Sequence, residues 1–284
     1  MIGDVQYIFR VGDRIVDFKE PQVMGIINVT PDSFYASSRH TDIDPILNQV
    51  GKMLDEGATI IDIGAVSSRP GAQEVSEEEE FKRLIPAVSA IRNQYADVII
   101  SVDTYRSKVL KAAYEAGADM INDISGGLLD PDLLPTVAEI GLPYILMHMK
   151  GSPEHMQDDP NSADIVMEVL TWLTNRLYYL YSIGIHDVII DPGFGFGKRL
   201  EHNYELLRSL DTFQILNAPI MAGLSRKSMI YKALDITPEE ALTGTIGANM
   251  LALQRGAKIL RVHDVLPAVQ TIRIFHEYQG KSSN

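Results

Sequence analysis

The amino-acid sequence predicts a (β/α)8 TIM barrel with an N-terminal β-hairpin covering its floor, all within one domain of 284 residues. Three observations predict it. Eight short apolar runs recur from residue 23 onward. Each is followed by a polar or glycine-rich turn and an amphipathic stretch, and almost every run ends in a side chain that hydrogen-bonds. The runs are near-continuously hydrophobic, as parallel strands buried on both faces must be. Eight strand–helix units suit the roughly 250 residues this barrel takes. An open doubly wound sheet has the same alternation and is the competing architecture.

Residues 1–22 stand outside the repeat; there "YIFRVGDRIVDF" places two alternating runs around "VGDR", a hairpin signature. The predicted barrel strands are "VMGIIN" (23–28), "TIIDIG" (59–64), "VIISVD" (98–103), "DMINDIS" (119–125), "PYILMH" (143–148), "DVIIDP" (187–192), "PIMAGLS" (219–225) and "KILRVH" (258–263). Helices fill the intervals. One opens with Ser76 and Glu79 in capping-box spacing, and another runs from Asp164 and stops at Gly184. A third is expected to start with Thr237 as N-cap and Pro238 in the first helical position.

Composition narrows the function. Hydrophobic residues make up 45% and charged residues 22%, ordinary for a chain with a substantial core. There is no cysteine, which removes disulfides, thiolate nucleophiles and Cys-ligated zinc and suits a reducing compartment. A net charge of −13 argues against nucleic acid as a partner. No apolar run reaches membrane-span length and the start lacks a signal-peptide core, so the expected location is cytoplasmic, away from membranes.

Asn28, Asp62, Asp103, Asn122, His148, Asp191 and His263 lie at or near the carboxyl ends of the runs, and Lys227 just beyond one. Any one of them reads as a turn former or helix cap. In a closed barrel, however, all these ends meet on the rim where active sites are built. Carboxylates and amides suit a flat heterocycle with N–H and C=O edges, and Arg69, Lys227 and Arg261 suit phosphate. The set implies a ligand with a hydrogen-bonding ring and an anionic tail. In "GLSRKS" (223–228), Gly223 admits close backbone approach, while Ser225, Arg226, Lys227 and Ser228 open a helix whose N-terminus favours anions. Arg261 and His263, two apart, share a face. "DPGFGFGK" (191–198) lacks both the Rossmann spacing and the Walker ending, no HExxH or G-x-S-x-G occurs, and a zinc reading of His148 with His155 is weak.

The motifs "MGIINVTPDSF" (24–34), "SSRPGA" (67–72), "SVDT" (101–104), "INDISGG" (121–127), "LMHMKG" (146–151), "DPGFGFGK", "GLSRKS" and "RVHDV" (261–265) fall in order, one at each strand end. Together, over residues 23–265, they resemble the dihydropteroate synthase family. The resemblance implies condensation of 6-hydroxymethyl-7,8-dihydropterin pyrophosphate with p-aminobenzoate, giving dihydropteroate and pyrophosphate, with Mg2+ as cofactor. It places Asp103, Asn122, Met147, Asp191, Phe196, Gly223 and Lys227 around the pterin, with Asp191 on the paired N–H edge. Asn122 then finds its partner in the ligand ring and not in protein, while Asp123, facing the other way, is structural. Ser68, Arg69, Arg261 and His263 take the pyrophosphate, and Asn28 is a magnesium ligand. Ser68, Pro70, Phe196, Lys227 and Ser228 border the p-aminobenzoate, and Asp32, Asp103, Lys227 and Arg261 carry the reaction. The apolar late helices suit a homodimer face. Two departures stand out: "YASS" (35–38) replaces the family's Ser-Asp-Gly-Gly, and Val66 replaces a glutamate. Two rivals share the pocket: a folate-binding methyltransferase, which has no use for the cations, and a pterin binder without turnover.

Overall fold

The structure, a computed structural model, describes residues 7–12, 14–29, 43–66, 75–150 and 162–281. Strands β1 (Ile8–Val11) and β2 (Arg14–Asp17) form an antiparallel hairpin. Eight further strands follow: β3 (Gln22–Asn28), β4 (Ile60–Gly64), β5 (Ile99–Asp103), β6 (Met120–Asp123), β7 (Tyr144–Met147), β8 (Val188–Asp191), β9 (Ile220–Ala222) and β10 (Ala257–Val262). They close into a parallel barrel in the order β10-β3-β4-β5-β6-β7-β8-β9, with β9 paired back to β10. Closure excludes the open sheet. Around it lie α1 (Asp44–Asp55), α2 (Glu77–Gln94), α3 (Ser107–Glu115), α4 (Leu133–Ile140), α5 (Ile165–Ser182), α6 (Leu200–Arg208), α7 (Ser228–Leu234), α8 (Leu242–Gln254) and α9 (Val265–Tyr278).

Side-chain parity divides the barrel into two environments. Outward-facing strand residues such as Ile61, Ile63, Ile100, Val102, Ile121 and Leu146 join the helices in one large apolar core. Inside, each strand sends one residue to a second cluster: Met24, Ile60, Ile99, Met120, Ile145, Ile189, Met221 and Ile259. Phe9, Val11 and Phe18 pack on this layer from below, the two phenylalanine rings edge to face at 5.1 Å. The hairpin therefore seals the floor, as the sequence predicts.

Strand side chains alternate, so the residues two and four positions past the floor layer also point inward, one and two layers higher. Those are Asp62, Ser101, Asp103, Asn122, Met147, Asp191, Gly223, Arg261, His263 and, on β3, Ile26 and Asn28. The polar rim foreseen from the strand ends thus becomes a polar upper lumen over an apolar floor. Asp62 sits in mid-strand, one layer deeper than a rim position.

The caps follow the sequence at α2, where the Ser76 hydroxyl accepts from Glu79 N, and at α5, where Asp164 accepts from Met167 N and Gly184 (φ 90°) ends the turn. The expected start of α8 at Pro238 is corrected: the helix begins at Leu242. The backbone of residues 237–241 closes i→i+3 turns, and Arg226 Nη1 takes the carbonyls of Pro238 (3.1 Å) and Glu239 (2.6 Å) from the side. Those carbonyls are spent before a first α-turn can form.

Candidate functional site

Asp62 is the centre of the lumen. Completely buried on β4, its carboxylate accepts from Ser101 Oγ of β5 (2.6 Å), Asn122 Nδ2 of β6 (2.9 Å) and Arg261 Nε of β10 (2.7 Å). Arg261 Nη2 extends the network to Asp103 at 2.9 Å. Burial pushes the Asp103 carboxyl up to about 7, against the attraction of Arg261 and with the charge of Asp62 adding to the rise. For Arg261 burial opposes the charge, but Asp62 and Asp103 outweigh it and hold the guanidinium above its ordinary value. The sequence expectation for Asn122 is corrected here: its amide nitrogen has a protein partner, Asp62. The same Oδ2 takes Arg261 Nε, so the amide turns its nitrogen, not its oxygen, toward Asp62. Its neighbour Asp123 points into the helical layer, as parity requires, and accepts from Ser125 N, Gly127 N and the Tyr144 hydroxyl.

Across the lumen, Asp191 is buried and accepts from Gly193 N at 2.7 Å. Burial raises its pKa, opposed chiefly by Lys227. A methyl group added at Gly223 would lie 3.7 Å from Lys227 Nζ and 3.8 Å from Asp191 Oδ2, so these three residues face one spot. Lys227 donates to the Phe194 carbonyl and its ammonium lies 4.6 Å from the centre of the Phe196 ring. Burial lowers Lys227 to about 8, with Asp191 pulling the other way. Met147, on β7 in register with Asp191, closes the wall between β6 and β8.

Beyond the end of β10, His263 Nδ1 lies 3.1 Å from Ser225 Oγ, which also accepts from His263 N. Ser228 opens α7, half-buried beside Lys227. Arg226 departs from the anion pocket in which the sequence placed it. With φ at 54°, it turns outward to a bidentate pair with Asp264, at 2.8 and 3.0 Å. Asp32, Ser68, Arg69 and Pro70 lie outside the described residues, as do "YASS" and His155.

Asn28 ends β3, exposed, with an amide oxygen as a hard donor. Among the described residues no group of three His, Cys, Asp or Glu side chains forms a metal site. That donor set fits a Mg2+ held by one or two protein oxygens with ligand phosphates and water completing the shell, and fits no all-protein cage.

Lys198 and Ser101 are the functional neighbours that sequence reasoning missed. Lys198, 4% exposed, folds back under the loop after β8 and was visible only as the last letter of "DPGFGFGK". Its amino group lies 2.8 Å from the Gly193 carbonyl, 3.0 Å from that of Phe196 and 3.0 Å from His148 Nδ1. Burial takes Lys198 down to about 7 and, with the charge of Lys198, His148 down to about 2, so the His148 imidazole is neutral where its Nδ1 meets the Lys198 amino group.

Chemically, the upper lumen offers acceptors to the edge of a flat ring, and each side of it pairs acid with cation: Asp62 and Asp103 with Arg261, and Asp191 with Lys227. The profile of the family described as pterin binding enzyme matches residues 24–263. The dihydropteroate synthase of Haemophilus influenzae is 45% identical over 265 residues, covering 93% of this chain and 96% of that protein. A crystal structure of the Yersinia pestis dihydropteroate synthase with a sulfonamide drug complex superposes with a TM-score of 0.90 at 40% identity, covering 96% of this chain and 99% of that one. The Xanthomonas albilineans enzyme with 4-aminobenzoic acid gives 0.89 at 40% identity, over 96% and 98% of the two chains.

Proposed function

The chain belongs to the dihydropteroate synthase family of pterin-binding enzymes, and from that membership we infer that it condenses 6-hydroxymethyl-7,8-dihydropterin pyrophosphate with p-aminobenzoate, a transferase step of folate biosynthesis. One observation carries the reading at the level of chemistry: the acceptors Asp103, Asn122 and Asp191 share a lumen with Lys227, Arg261 and His263. A methyltransferase using a folate would not need the cations.

Asp191 is suited to accept the paired N–H edge of the pterin, with Asp103, Asn122, Met147 and Gly223 around the ring. Arg261 and His263, together with Ser68 and Arg69, would receive the departing pyrophosphate. Asn28 would hold Mg2+, which when bound neutralises charge on the diphosphate. The Phe196 ring under Lys227 would form one wall for the arylamine, with Ser228 at its border and, by the family resemblance, Ser68 and Pro70; the Xanthomonas relative was solved with 4-aminobenzoic acid. Asp32 would assist the reaction, a role that rests on the family resemblance alone. The step is a dissociative substitution: the C–O bond to pyrophosphate breaks, the methylene carbon carries positive charge delocalised into the ring, and the arylamine nitrogen attacks and then loses its proton to solvent. Charge stabilisation and positioning supply the rate, and no strong base is needed.

Incubation with Mg2+ and the pterin pyrophosphate should release pyrophosphate only when p-aminobenzoate is added, and chelation should suppress it. Tight pterin binding without release would identify a non-catalytic binder. On the alkaline side kcat/KM is expected to fall as pH rises through about 8, because Lys227 loses its proton there. Lys227→Arg should remove that limb at a lower absolute rate, which a pH–rate profile from 6 to 10 checks.

The homodimer reading rests on a neighbouring pair of helices. α8 presents Ile246 and Leu251, and α9 presents Leu266, Ile274 and Tyr278, all exposed. Sedimentation at micromolar concentration tests it. Among the described residues no helix is long and apolar enough to cross a membrane.

A further inference from the structure

We propose that Lys198 is a positioning residue for this reaction: its amino group is the hub on which the loop 192–198 folds, and through that loop it sets both the Asp191 carboxylate and the Phe196 ring. The inference rests on the condensation activity above and deepens it.

The loop has no sheet or helix of its own to hold it, so its carbonyls need other partners. Lys198 Nζ takes those of Gly193 (2.8 Å) and Phe196 (3.0 Å) from inside the turn, and reaches the end of β7 through His148 Nδ1 (3.0 Å) and the His148 carbonyl (3.3 Å). His148 is itself fixed, buried with its ring edge-on to Trp172 at 5.1 Å. The packing leaves no slack: a Cβ on Gly193 (φ 72°) would fall 1.9 Å from the His148 carbonyl oxygen. With the turn held this way, Gly193 N–H meets Asp191 Oδ1 at 2.7 Å, and Phe196 lies under Lys227. Asn203 clamps the far side, accepting from Gly195 N at 2.6 Å and donating to the Lys198 carbonyl at 3.3 Å.

Lys198→Met keeps the chain length and removes the donors. It should raise KM for both substrates, and the Kd of the pterin pyrophosphate measured by calorimetry without arylamine, at least tenfold, with the melting temperature within a few degrees of the parent. At His148, leucine should reproduce the effect, whereas asparagine, which places an oxygen near the Nδ1 position, should restore most of it. The calorimetric arm needs no turnover, so a parent that fails to release pyrophosphate refutes the activity and leaves this inference under test. Parental Kd and KM values in Lys198→Met overturn the proposal. If that variant does not fold, identical substrate affinities in His148→Leu and His148→Asn overturn it instead.

Discussion

Asp191→Ala is expected to abolish pterin binding while leaving the barrel folded. The carboxylate is the luminal acid of β8, buried and held by one backbone N–H from Gly193. A ring edge with two parallel N–H groups would take two charge-assisted bonds from it, worth about 1.5–3 kcal/mol each. At about 1.4 kcal/mol per decade, their loss corresponds to roughly 10²–10⁴ in affinity. The fold survives for a separate reason. Burial already raises the pKa of this acid, so removing it relieves a desolvation cost that offsets the orphaned Gly193 N–H. Lys227 would also lose its principal favourable neighbour and drop below its present value of about 8. Calorimetry with the pterin substrate and thermal unfolding of the same sample give both halves of the answer. A variant that still binds with parental affinity would remove Asp191 from the pterin edge.

Asp62→Ala should be the most damaging single change to the lumen, for stability as well as turnover. It deprives Ser101, Asn122 and Arg261 of one shared acceptor in a completely buried site. Breaking a buried charge pair from one side costs about 3–5 kcal/mol, because the remaining charge stays desolvated. That is a large part of the roughly 5–15 kcal/mol that holds a domain together. Among the described residues Arg261 would keep only Asp103, at 2.9 Å, and the amide of Asn122 would lose its partner Asp62. We expect kcat/KM to fall by more than about 10²-fold, consistent with lost positioning. Asp62→Asn, which keeps one acceptor and the shape, should land between the two. Urea unfolding midpoints read the stability, and an alanine variant as stable as the parent would show that the network contributes nothing net.

The two predictions differ in how far the sequence alone reaches. Asp191 stands out there as a carboxylate closing an apolar run, two residues past Ile189 in strand parity. Its inward direction follows from alternation once the strand is granted. Asp62 was equally visible as a letter in "TIIDIG", yet nothing local says that it collects donors from β5, β6 and β10. The same holds for Arg226, a cation in an anion-binding motif that the fold spends on Asp264 and on two carbonyls preceding α8. Lys198 was visible only as the last letter of "DPGFGFGK", with nothing local to say that it is buried, since a lysine after a glycine-rich loop ordinarily faces water.

By itself, then, the sequence determined the eight strands, the capped starts of α2 and α5, the hairpin under the floor and the identity of most lumen-facing polar groups. Those are consequences of period and local capping, which act over a few residues. The pairing of these groups was decided only by tertiary structure. Asp62 and Arg261 are 199 positions apart and meet only because β10 closes onto β3. Which of several acids receives a given guanidinium depends on strand stagger, layer height and rotamer, and these are fixed by packing the whole barrel at once.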